Sequence, residues 1–272
     1  MTNRILSLAA LTTLDVPPPE QVRIAAGAGY THVGLRLLPA TPADPDYDML
    51  GDTAAVRDTL AALRETGIGV SDVEIVRLAP DFRLDDRMQL FLDTARRLGA
   101  AQVLVAGNDP DAPRAADNLA RLAEAGRAHG LTMNLEPMPW TSVRNLAQAL
   151  ALIRASGRDD VGILVDALHF WRAGETLESL AAVPASALNY MQLCDAPAQP
   201  PESEAALIAQ ARGARMVPGE GGLDLHGLLR ALPAGLPVSV EVPLGGELGK
   251  LPALVRARRL ADAARACLHS VR

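Results

Sequence analysis

Aromatic side chains are scarce in this 272-residue chain, at 3% of all residues. Any core must therefore be filled by aliphatic groups, and a hydrophobic share of 49% supplies enough of them for one large domain. Cysteine is almost absent too. Cys194 and Cys267 form no spacing that would staple a small secreted fold, so reduced thiols are expected. No apolar run approaches the length of a membrane span, and the N-terminal run RILSLAALTTL is cut off by Asp15 and three prolines. The expectation is a soluble, cytoplasmic protein with no membrane partner. Basic charge is not in excess: the formal net charge is −6. That argues against nucleic acid as a partner, because such binding needs clustered Lys and Arg against phosphates. Several catalytic signatures are missing as well. There is no G-x-S-x-G elbow, Walker loop, C-x-x-C or H-E-x-x-H, and AGAGY (26–30) ends a helical stretch instead of opening one.

What the chain does have is alternation. Short strand-like runs at 4–10, 32–37, 70–78, 102–107, 132–136, 162–166, 189–192 and 238–241 are separated by Ala/Leu/Arg-rich stretches of helical character. Glycine closes several of those stretches, as at Gly67. Eight βα units point to an α/β fold, a single (β/α)8 barrel over residues 1–272, and not to an open doubly wound sheet. One connection is long, at about 196–236. It begins Pro-rich, holds a helical piece and then a Gly-rich turn, and is expected to form a lid or substrate loop on the active face.

Four of the late runs end on an oxygen donor: Glu136 in TMNLE, Asp166 in GILVD, Gln192 in NYMQ and Glu241 in VSVE. Carboxyl-terminal strand ends converge in a parallel barrel, so the four are expected at one mouth. Such a set suits Mg²⁺ or Mn²⁺ more than Zn²⁺, and without a cation three converging carboxylates would raise one another's pKa. The alternative is that each carboxylate caps a helix or pairs with a nearby arginine. His169, three residues after Asp166, is placed for substrate contact or proton transfer, or else is a loop histidine bonded to backbone. Arg215 is read as a loop cation able to close over substrate oxygens. Arg36 and Glu74 lie late in the second and third runs, either facing the same mouth or forming a buried ion pair with one another. Arg77 falls near the third strand's end, Trp140 is a candidate pocket wall, and Asp195 is a candidate anchor for the long connection.

This pattern resembles the xylose-isomerase-like TIM barrel superfamily of sugar isomerases, epimerases and related lyases, most strongly over residues 132–243. The resemblance implies a divalent metal, Mg²⁺ or Mn²⁺ with Co²⁺ or Zn²⁺ as options, held by Glu136, Asp166, Gln192 and Glu241. Asp166 and His169 meet its D-x-x-H element, and PGEGGLDL (218–225) is similar to its PG-x-G loop. The third ligand is commonly His in ketose 3-epimerases. Gln192 followed by D-x-P looks more like hydroxypyruvate isomerases and bacterial 3-dehydroshikimate dehydratases, and LEPMPW (135–140) resembles a stretch of the latter. Position 36, often acidic in the superfamily, is Arg36 here, which marks a substrate carboxylate as an expectation. The expected activity is a metal-dependent isomerase or epimerase of a small hydroxy-ketone or sugar, by proton abstraction beside a polarised carbonyl. Glu136 and Glu241 would serve as base and acid, with His169 and Arg215 on substrate oxygens and Arg36, Glu74 and Trp140 completing the pocket. The alternatives are a dehydratase resembling 3-dehydroshikimate dehydratase, acting on a hydroxy-acid, and a non-catalytic metabolite-binding barrel. Homo-oligomers are common among relatives.

Overall fold

A computed structural model of the chain describes residues 4–243 and 245–271. Eight parallel strands close into a barrel in chain order: β1 Leu6–Leu8, β2 His32–Arg36, β3 Gly69–Leu78, β4 Gln102–Gly107, β5 Thr132–Glu136, β6 Gly162–Asp166, β7 Leu188–Leu193 and β8 Val238–Val240. Closure is made by β1 on β8, with Leu6, Ser7 and Leu8 opposite Val238, Ser239 and Val240. The strands run in register at their carboxyl ends: Glu136 pairs with Ala106 and Asp166 with Gln192.

The helices start and stop where local chemistry directs. Thr53, Asp85, Asp111, Asn145 and Ser203 each accept a backbone N–H from the first turn of the helix they open. Gly67, Gly99 and Gly157 end their helices in the left-handed conformation, which a Cβ would oppose. The main core is the shell between sheet and helices, an aliphatic layer with a few aromatics such as Phe91 and Phe170. Among the described residues, Leu104, Leu164 and Tyr190, with Ile75 against them, form a small apolar cluster separate from that core. Much of the remaining strand interior is polar. Ser7, Asp72, Glu74, Asn134, Glu136, Asp166, Gln192 and Ser239 are all buried. Asp72 and Glu74, like Asn134 and Glu136, are two apart and so share a face of their strand.

The long connection folds down onto the barrel. It contains helices Glu204–Gly213 and Leu225–Ala231, and an isolated antiparallel bridge joins Asp195 to Met216. Asp195 pins it. Its carboxylate accepts the backbone N–H groups of Ala196, Gly219, Gly221 and Leu223 at 2.8–3.1 Å. A Cβ at Gly221 would sit 2.3 Å from that carboxylate, so only glycine allows the approach. No helix among the described residues is long and apolar enough to cross a membrane.

Candidate active site

At the carboxyl ends of the strands lies a cleft of about 320 Å³. Arg36, Glu74, Arg77, Glu136, Trp140, His169, Arg215 and Glu241 line it. A larger groove of about 1050 Å³ runs outside the barrel between helices Ala112–Ala128 and Leu146–Ser156, but none of the strand-end acids lines it. The strand-end cleft carries the chemistry.

Asp166 has two tasks. One oxygen accepts the backbone N–H of His169 at 2.9 Å and caps the helix Ala167–Arg172; the other meets Arg215 Nη1 at 2.5 Å. Burial opposes its ionisation, but Arg215, His169 and that N–H outweigh burial and hold it below the usual aspartate range. Arg215 reaches Glu241 Oε2 through Nη2 at 2.9 Å and donates from Nε to the Ala211 carbonyl. The guanidinium therefore bridges Asp166 and Glu241. The expected loop cation is instead buried in the floor of the site, its side chain only 3% exposed. Glu241 lies one residue beyond β8 and also accepts from Gln192 Nε2 at 2.8 Å. That bond fixes the amide's orientation and leaves Gln192 Oε1 buried with no described partner.

One guanidinium cannot balance three carboxylates. Burial, with the charges of Glu241 and Asp166, raises the Glu136 pKa well above that of an ordinary glutamate. Burial raises Glu241 as well, to about 8, with Arg215 pulling the other way and Glu74 and Asp166 adding to the rise. His169 moves in the opposite direction, to about 4, because burial disfavours imidazolium and Asp166 offsets only part of this. Its neutral ring stands edge-on to Trp140, centroids 4.9 Å apart, with Nε2 3.6 Å from Glu136 Oε1. Ligand atoms of Glu136, Asp166 and His169 all lie within 4.8 Å of one another, close enough to share a cation.

Arg36 and Glu74 do face the cleft, but they face each other too. Arg36 donates to Glu74 Oε1 from Nε at 2.9 Å and lies 2.7 Å from it through Nη2, while Nη1 meets Asp44 at 2.8 Å. Both readings of this pair are met: the two residues line the mouth and form a buried ion pair there. The expectation that Arg36 would hold a substrate carboxylate therefore needs correction, because its donors are already engaged by two acids. Asp44 went unnoticed as a sequence because it lies in a loop with no periodic signal; its spacing to Thr41 and Ala40, whose donors it also accepts, is the only local cue. Arg212, in the last turn of helix Glu204–Gly213, is another charged lining residue that the sequence did not signal.

The profile of the xylose isomerase-like TIM barrel family matches residues 22–267. The chain belongs to that family. Among curated members, this xylose isomerase-like barrel is 26% identical to a 3-dehydroshikimate dehydratase of Pseudomonas aeruginosa over 248 residues, 86% of this chain and 37% of the relative. It is 29% identical to an inosose isomerase of Bacillus velezensis over 119 residues, 43% of this chain and 40% of that one. The matches thus span well under half the length of either relative. Among solved structures, the IolI protein with a bound zinc atom superposes with a TM-score of 0.78 at 20% identity, covering 98% of this chain and 99% of that one. At that identity the likeness is one of fold.

Proposed function

We propose that the chain is a divalent-metal-dependent lyase that removes water from a small polyhydroxylated ketone by abstracting the proton next to the carbonyl. The observation that carries this reading is the pair Glu136 and Glu241, two buried carboxyls of raised proton affinity opening on one cleft beside a neutral histidine. Groups of that kind are suited to exchange a proton with a carbon acid near neutral pH.

A cation fits the donors. Asp166 and Glu241 share one guanidinium and Glu136 has none, Gln192 Oε1 is an orphaned buried acceptor, and the oxygen-rich set favours Mg²⁺ or Mn²⁺. Glu136, Asp166, Gln192 and Glu241 would hold it; the relative with zinc supports a metal without fixing which. When bound, a divalent ion supplies stabilisation of negative charge on the carbonyl oxygen. The rest is done by side chains. Glu241, as carboxylate, takes the α-proton, and the electron pair left on carbon forms the new double bond as the β-hydroxyl departs. Glu136, as carboxylic acid, gives that hydroxyl a proton, so it leaves as water. His169 donates to a substrate oxygen from its neutral ring, and Arg215 keeps Asp166 and Glu241 in place. Trp140 holds the imidazole edge-on and walls off solvent.

Dehydration leads because the relative that matches along 86% of the chain is a dehydratase. The match to an inosose isomerase supports a second reading, in which the proton returns to carbon and no water leaves. Incubating the Mg²⁺- or Mn²⁺-loaded protein with 3-dehydroshikimate or an inosose in D₂O separates them. A product lighter by one water supports the lyase, and deuterium gained at unchanged formula supports the isomerase. No conversion of either compound with either metal contradicts both.

A further inference from the structure

Four arginines line the cleft, and their partners divide them into two kinds. Arg36 and Arg215 are each saturated by two carboxylates. Arg77 and Arg212 have no carboxylate within ion-pair distance among the described residues. Arg77 touches only the side-chain oxygen of Asn108, at 3.4 Å, and Arg212 makes no hydrogen bond or ion pair with any described residue. Both line the same cleft. Burial, the Arg212 charge and the Arg36 charge together disfavour the charged form of Arg77, with Glu136 opposing.

Two guanidinium groups that line one cleft, neither ion-paired to a described carboxylate, present positive charge to whatever enters it. The backbone that carries Arg212 is firmly placed. Arg172 Nε donates to Gln210 at 2.9 Å, Arg215 Nε donates to the Ala211 carbonyl at 2.9 Å, and Ala211 is buried. A basic residue in a helix's last turn complements the helix dipole, but that role does not require its side chain to line a cleft. We infer that Arg77 and Arg212 form an anion subsite on the rim, so that the substrate carries a carboxylate and a neutral sugar is a poor one. This rests on the proposed reaction for the word substrate, but the subsite itself is a claim about binding. It also moves the acid-selecting role from Arg36 to a residue of the long connection.

The test measures binding without turnover. Shikimate and its methyl ester, a carboxylate and its neutral twin, are titrated calorimetrically into the Mg²⁺-saturated protein. The acid is expected to bind at least tenfold more tightly at low salt, with the difference shrinking as salt screens it. Arg212→Ala, at an exposed position, should cut the acid's advantage several-fold and leave ester binding and melting temperature unchanged. Arg77→Met should do the same to a larger extent; Arg77→Lys, which keeps the charge, should restore part of it. Equal affinity for acid and ester, or no detectable binding of the acid, overturns the subsite. So does a neutral inosose processed as efficiently as 3-dehydroshikimate, an outcome that leaves the proposed proton-abstraction chemistry standing.

Discussion

The barrel buries carboxylates at two depths and treats them differently. At the rim, Asp166 and Glu241 share the Arg215 guanidinium, Glu136 lies beside His169, and Gln192 Oε1 has no described partner. One layer down, Asp72 on β3 has no basic side chain within ion-pair distance among the described residues. It accepts from Ser71 Oγ, which in turn meets Ser7 Oγ at 2.7 Å, and it packs against Gly34, where a Cβ would come within 3.0 Å of its oxygens. Burial, reinforced by the Glu74 charge, pushes Asp72 up to about 7. The rim acids need positive charge to ionise, so a cation is useful there. Asp72 is accommodated by keeping its proton.

The largest expected effect comes from breaking the rim. Glu241→Gln removes the proposed base while keeping the shape and the contact to Gln192, and should lower kcat/KM about 10³-fold or more with an unchanged circular dichroism spectrum. Wild-type turnover would remove Glu241 from the reaction. Arg215→Met leaves Asp166 and Glu241 uncompensated in a buried site. It should cost about 3–5 kcal/mol in chemical denaturation, part of it recovered by added Mn²⁺.

Asp72 offers the opposite response. Its folded-state pKa lies above the unfolded value, so the folded protein holds the proton more tightly. The stability this contributes is complete below about pH 4 and is lost as pH rises through about 7. Asp72→Asn should flatten that dependence and stabilise the protein at pH 8 by at most about 4 kcal/mol, with no Mn²⁺ rescue and little change in turnover. A destabilised Asp72→Asn at pH 8 would mean that the carboxylate is charged and satisfied. The smallest effect is expected away from both layers. Asp195→Ala frees four backbone donors that water can partly reach, and should cost about 2 kcal/mol and loosen the long connection.

Much of the rim was legible as sequence because strand ends announce themselves. Glu136 and Asp166 close β5 and β6 at the boundaries that hydrophobic pattern predicts, and Gln192 and Glu241 fall within one residue of theirs. Asp195 as an anchor was legible for the same reason, standing just past β7 at the start of the Pro-rich stretch APAQPPES. Charge pairing was not. Whether Arg36 served a substrate or Glu74 depended on the barrel register that puts them opposite one another, and on Asp44, delivered by a loop. The burial of Arg215 depended on how the long connection packs back over β6 and β8. Pattern reads which face a residue is on; the partner it meets there is a matter of tertiary contact.

The rim carboxylates form the proposed cation site, and Asp72 lies outside it. Calorimetric titration of Mn²⁺ into the metal-free protein at pH 8 tests this directly. The expected result is one ion per chain, affinity falling at least tenfold in Asp166→Asn and in Glu136→Gln and unchanged in Asp72→Asn. No binding, or binding that survives both rim substitutions, would contradict it.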